Sequence, residues 1–281
     1  MDAARRPQRT RFIRAALLAG LALPTATGRA GPINSDVAFT PRKDGNIFRL
    51  QYSYREADGR GDHRQVNASG VRGTYVYGWT EDTALFLTAR YANRQADRID
   101  PRFGLIEEAH DGLRDVTVLA KYRFWQNDPR PLETYRWAVL GGLNLRSGDS
   151  DFSSDSYDPI LGAVFTCRRD RNLFAADLIY QFNTGRREFR HDEIRYDAAF
   201  VHRLHPAVYE PGVNIEWNAV AELNGRYTAD GSHEVFLSPG LQYNTEQWSL
   251  EASIQLPVIQ ELRGAQPETE FRIVLGLRFQ W

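Results

Sequence analysis

The chain has 281 residues, with 35 Lys and Arg against 36 Asp and Glu, a formal net charge of -1 and a mean hydropathy of -0.51. That balance, with no Lys/Arg block interleaved with aromatics, argues against a nucleic-acid partner. The single cysteine, Cys167, excludes an intrachain disulfide, and neither a glycine-rich phosphate loop nor a Cys/His set at zinc spacing points to a cofactor or a metal.

Residues 1–30 carry Arg5, Arg6, Arg9, Arg11 and Arg14, then the apolar run Ala15 to Leu23, then Pro24 and small residues up to Ala30. This is the layout of a cleavable secretory signal peptide, and the run is far shorter than the ~20 residues a spanning helix needs. Residues 31–45 are read as a short periplasmic or lumenal segment, too short for a passenger domain and able to lie in a lumen as a small plug. The domain proper is expected over 46–281.

From residue 46 the pattern has period two, which puts alternate side chains on opposite faces of a strand. The first strand sets Phe48, Leu50, Tyr52 and Tyr54 against Arg49, Gln51, Ser53 and Arg55. The second, over 66–79, sets Val71, Tyr75, Tyr77 and Trp79 outward with Arg72 and Thr74 inward. The third, over 83–92, sets Leu85, Leu87 and Tyr91 against Thr88 and Arg90. The fourth, over 113–124, opposes Val118, Ala120, Tyr122 and Phe124 to Thr117, Lys121 and Arg123. The fifth, over 136–146, opposes Trp137, Val139, Leu143 and Leu145 to Asn144 and Arg146. The sixth, over 158–167, is apolar on both faces at Ile160, Leu161, Ala163, Val164 and Phe165, so its register stays open.

The alternation then resumes. The seventh strand, over 172–183, turns Asp177 and Gln181 inward; the eighth, over 193–204, Arg195, Asp197 and Arg203; and the ninth, over 214–224, Glu216, Asn218, Glu222 and Asn224. The tenth, over 234–243, turns in Ser238 and Gln242, and the eleventh, over 248–257, Ser249, Glu251, Ser253 and Gln255. The last opposes Phe271, Ile273, Leu275, Leu277, Phe279 and Trp281 to Arg272, Gly276, Arg278 and Gln280, and ends on an aromatic. Short connections at 81–82, 168–171 and 245–247 alternate with longer polar ones, the longest read at 93–111. The fourth and eighth, holding Pro129, Pro131, Pro206 and Pro211, look longer than an inner turn needs. The predicted fold class is all-β: a transmembrane antiparallel up-and-down β-barrel of about 12 strands in the cell outer membrane.

Several stretches carry a family resemblance: Gly112-Leu113-Arg114-Asp115-Val116-Thr117, Leu143-Asn144-Leu145-Arg146-Ser147-Gly148-Asp149, Leu237-Ser238-Pro239-Gly240-Leu241-Gln242-Tyr243, and above all Trp248 to Val258 running on through Gly264 and Gln266 to Phe279. They resemble the outer-membrane "transporter" family named for the MetA-pathway of phenol degradation. Where members often show Pro-Thr-Gly-Asp, this chain has Arg146-Ser147-Gly148-Asp149. The resemblance implies passage of small solutes, aromatic compounds among them, across the outer membrane.

The inward face supplies candidate lumen and selectivity residues: Arg49, Arg72, Arg90, Lys121, Arg123, Arg272 and Arg278 with Asp177, Glu216, Glu222 and Glu251. Rings of charge filter solutes by sign, and basic ones favour anions; a salt-bridged, plugged or ligand-binding barrel without conduction is the alternative. Leu275, Leu277, Phe279 and Trp281 are read as the C-terminal signal for the barrel-assembly machinery. Outer-membrane lipid and lipopolysaccharide are the other expected partners, the latter through the basic loop 186–191. The loop 147–158 offers oxygen ligands but lacks the EF-hand spacing, and a solvated acidic loop is the plainer reading. A lipid hydrolase would need a serine and a histidine at one depth on the outer wall, and no such pair emerges, so no catalytic residue is assigned.

Overall fold

The computed structural model describes residues 31–59, 63–100, 104–185, 191–208, 212, 214–264 and 266–281. The signal-peptide segment and most of the basic loop 186–191 lie outside these residues. The strands are β1 (Asn46–Asp58), β2 (His63–Gly78), β3 (Thr83–Asp100), β4 (Gly104–Arg130), β5 (Glu133–Asn144), β6 (Asp158–Arg169), β7 (Asn172–Gln181), β8 (Glu193–His205), β9 (Glu216–Thr228), β10 (His233–Asn244), β11 (Trp248–Glu261) and β12 (Glu268–Gln280). Each pairs antiparallel with its chain neighbours, and β1 also pairs with β12, closing the sheet. An even number of strands lets the first and last meet antiparallel, so no edge is left unpaired.

The alternation read from the sequence sorts the two faces. On β11, Leu250 is 49% exposed while its neighbours Ser249 and Glu251 are buried; on β12, Leu275 is 49% exposed and Val274 buried. In lipid every backbone polar group must be paired within the protein, which the closed ladder achieves. The ends of the barrel sequence meet at one rim, where the Asn46 N–H donates to the Trp281 carbonyl at 2.9 Å and the Trp281 N–H returns to Asn46 at 3.0 Å.

Two connections differ from the sequence reading. The stretch 93–111 is mostly strand: β3 and β4 stay paired from Asn93↔Asp111 to Asp100↔Gly104. A ladder held by backbone hydrogen bonds continues above the lipid, where nothing demands apolar alternation. The fourth connection is a tight turn, because β4 runs to Arg130 and β5 starts at Glu133. A register shift between Asn127 and Arg130 accommodates Pro129, which lacks the ladder donor.

The sixth strand is apolar on both faces because both are covered. Leu161 points outward at 57% exposure, while Ile160 and Val164 point inward and pack with Ala138, Leu140 and Ile179 around Ala38 of the N-terminal segment. A second inward cluster, Leu173, Ala175, Ala199, Val201, Val220 and Val274, surrounds Ile33. Residues 31–40 therefore lie inside the barrel, and 41–45 turn at the rim, where the Asp44 N–H donates to the Gly78 carbonyl at 2.8 Å.

Candidate functional site: a lumen shared by a folded-in segment and a basic cavity

The N-terminal segment is held in the lumen by backbone donors and buried charges. Successive N–H groups of Ile33, Asn34 and Ser35 donate to the Glu222 carboxylate at 2.6, 3.0 and 2.9 Å, and the Ser35 hydroxyl adds a fourth donor at 2.6 Å. Consecutive amides turned to one anion form a nest that holds a carboxylate without a cation. The Asp36 N–H donates to Asp177 Oδ2 at 2.8 Å and the Ala38 N–H to Thr166 Oγ1 at 2.8 Å. Lys121 Nζ reaches Asp36 Oδ1 at 2.8 Å and the Val37 carbonyl at 2.7 Å, and lies 4.7 Å from the Phe86 ring centroid. Phe39 lies under the guanidinium groups of Arg136 and Arg168, 4.9 and 5.5 Å away. Inward Gly240 makes room for Ile33, since a Cβ there would stand 2.6 Å from Ile33 Cδ1 and 2.7 Å from the Ala252 carbonyl.

The charged residues read as one mixed set separate into groups. Glu251 is buried between Arg49, paired through Nη2, and Arg278, whose Nη2 lies 2.7 Å away. Arg49 also donates to the Ile33 carbonyl at 2.7 Å, so it bridges wall and segment. Arg272 donates to Gln255 Oε1 at 3.0 Å and lies over the Phe236 ring. Glu216 is buried beside Asn218, Arg168 and Arg203, around a separate 10 Å³ pocket. Arg123 does not line the cavity: it grips the turn before β3, with Asp82 Oδ1 at 2.5 Å and the Glu81 carbonyl at 2.9 Å. Arg146 lies beyond the end of β5, in an exposed pair with Asp155 at 2.5 Å. Arg72 and Arg90 face the cavity, and among the described residues no carboxylate comes within ion-pair distance of either.

What the segment leaves open is a cavity of 1360 Å³, lined from Asn46 and Trp281 at one rim to Asp230 and Gln266 at the other. Its walls carry Arg49, Arg72, Arg90, Arg195, Arg272 and Arg278 together with Asp115, Asp177, Glu193 and Asp197, whereas Glu216, Glu222 and Glu251 do not reach it. At the outer mouth, partial burial pushes the Asp230 carboxyl up, but bonds from Thr228 and Ser232 outweigh this and hold it below the usual carboxylate range.

The loop 147–158 is organised around Asp115 of β4. That carboxylate accepts the N–H groups of Gly148 at 2.9 Å and Ser154 at 2.6 Å, and the hydroxyls of Ser153 at 2.7 Å and Ser154 at 2.6 Å. The loop's acidic reading thus missed its anchor, which stands on a strand thirty-odd residues earlier and carries no local signal. Of the histidines, His110 pairs with Asp151 at 3.0 Å, His202 with Asn172 at 2.7 Å and His233 with the Tyr196 hydroxyl at 2.6 Å. On β12, Leu275, Phe279 and Trp281 point outward and exposed.

A sequence model of the family described as MetA-pathway of phenol degradation matches residues 27–265. The chain belongs to that family. No curated protein matches it in sequence. Among solved structures, this family member is similar to the COG4313 outer membrane channel from Pseudomonas putida F1, with 12% identity, a TM-score of 0.55, and coverage of 89% of this chain and 100% of that one. It is also similar to the β domain of the Bordetella autotransporter BrkA, with 15% identity, a TM-score of 0.47, and 85% and 100% coverage. At 12% identity the likeness to the Pseudomonas putida structure speaks to the fold, a closed β-barrel.

Proposed function

We propose that the protein is an outer-membrane channel in which residues 31–40 pack chiefly against the β5–β9 side of the lumen and small anionic solutes pass along the opposite, basic side. One observation carries this reading. The wall carboxylates Glu222 and Glu251 are sequestered by the segment and by Arg49 and Arg278, while on the remaining cavity guanidinium groups outnumber the carboxylates, among them Asp115, Asp177, Glu193 and Asp197. Water-accessible arginines in a low-dielectric wall attract anions and repel cations. The similar Pseudomonas putida structure is described as an outer membrane channel, which agrees with a conduit in place of a catalyst. Export through a cleavable leader, insertion through the C-terminal residues Leu275, Leu277, Phe279 and Trp281, and contact with lipopolysaccharide at the outer loops belong to the same proposal.

The test is a planar bilayer under a potassium chloride gradient. The folded barrel is expected to open in discrete steps with a reversal potential on the chloride side. A cation-side reversal potential would overturn the assignment. Persistent silence would favour a sealed barrel, the reading suggested by the complete burial of Ile33 and Ala38.

A further inference from the structure

From a row of arginines across the cavity wall we infer a discrete binding site for a small organic dicarboxylate. Arg72 of β2 stands directly opposite Arg90 of β3, and Arg90 directly opposite Arg114 of β4. The second pairing depends on a register shift between Thr88 and Arg90, which turns Arg114 to the same face as its neighbour. Arg195 of β8 lines the same cavity from another wall. All four line the cavity.

Like charges directly opposite on adjacent strands repel, so such a row calls for an anion. The wall does not supply enough of them. Several other inward arginines have partners: Arg49 and Arg278 share Glu251, Arg272 has Gln255, and Arg226 has Glu193 at 2.8 Å. Among the described residues, Arg195 has the outlying share of that same Glu193, at 3.5 Å. Arg72 and Arg90 have no carboxylate at ion-pair distance among the described residues. Nε of Arg90 and Nε of Arg195 are buried without a hydrogen-bond acceptor among the described residues.

Two uncompensated charges on one wall and a guanidinium approaching from another suit a ligand with two anionic heads. The planar guanidinium fork matches a carboxylate through two parallel hydrogen bonds. One step further up β4, Gly112 leaves space for the Phe152 ring, because a Cβ there would lie 3.0 Å from it. Phe152 also lines the cavity, so the row has an apolar cap on the outer side that suits an organic body.

The site deepens the reading of the basic lumen, and it is tested by binding so that its failure is separable from a failure of conduction. Purified folded barrel in detergent is titrated calorimetrically with succinate, acetate and inorganic phosphate, in parallel with Arg72→Gln, Arg90→Gln and the double variant. Succinate is expected to bind at one site per barrel, at least tenfold tighter than acetate or phosphate. Each single variant, folded by its heat-modifiable gel mobility, should weaken succinate at least tenfold. Absence of succinate binding to the parent, unchanged binding in the folded double variant, or phosphate binding as tightly as succinate would each overturn the assignment.

Discussion

Glu222→Gln is the sharpest single probe of the folded-in segment. The carboxylate accepts Ile33 and Asn34 amides on Oε1 and Asn34 and Ser35 amides on Oε2, with the Ser35 hydroxyl as a further donor. Glutamine preserves shape and one acceptor oxygen but turns an amine toward donors on the other side. One charge-assisted bond is lost at roughly 1.5–3 kcal/mol, and a buried N–H is left unsatisfied at roughly 1–3 kcal/mol more. Docking should weaken by roughly 2.5–6 kcal/mol, a fall of roughly two to four decades in the docked-to-undocked ratio. Two assays read this: amide hydrogen exchange at residues 33–35, and single-channel conductance. Protection of those amides should drop by at least a hundredfold, and conductance should rise as the segment leaves the lumen. Unchanged protection at 33–35 in the folded variant would refute the nest as the anchor.

Other substitutions separate wall, turn and loop. Leu250→Arg places a charge on the lipid face and should cost about 2–4 kcal/mol of folding stability if its depth is near the midplane, read by urea titration of the barrel in lipid vesicles; an unchanged midpoint would contradict the outward assignment of β11. Arg123→Ala should leave the reversal potential unaltered, because Arg123 holds Asp82 at a turn and does not line the cavity, and should lower stability by less than about 1 kcal/mol. A shifted reversal potential would return Arg123 to the filter. Asp115→Ala removes the acceptor that gathers Gly148, Ser153 and Ser154, so hydrogen exchange across 148–154 should accelerate while the strands stay protected.

The barrel was legible in the chain because lipid imposes a simple rule on it. Each strand must show apolar groups outward at every second position, and the rows Phe48-Leu50-Tyr52 and Leu275-Leu277-Phe279 obey it without reference to any partner. Where lipid ends the rule lapses, which is why the paired ladder between 93 and 111 read as a loop. The double-sided apolar strand around Ile160 and Val164 broke the rule for an informative reason: its inner face meets Ala38. Inward apolar residues at Leu173, Val201 and Val220 carried the same signal for Ile33, visible only once the register of β7, β8 and β9 was known.

Sequence by itself therefore determined the closed β architecture, the side that residues of every strand but the sixth take in the lipid-spanning stretches, and the supply of charges to the lumen, because these follow from period-two geometry and the demand that lipid face no unpaired backbone. Tertiary structure alone decided which of those charges remain available. Glu222 is consumed by amides nearly two hundred residues away in the chain, Glu251 by Arg49 and Arg278, and Arg123 by a turn, while Arg72 and Arg90 are aligned across strands with no carboxylate at ion-pair distance among the described residues. Pairing depends on distances across the closed barrel, which no local pattern encodes.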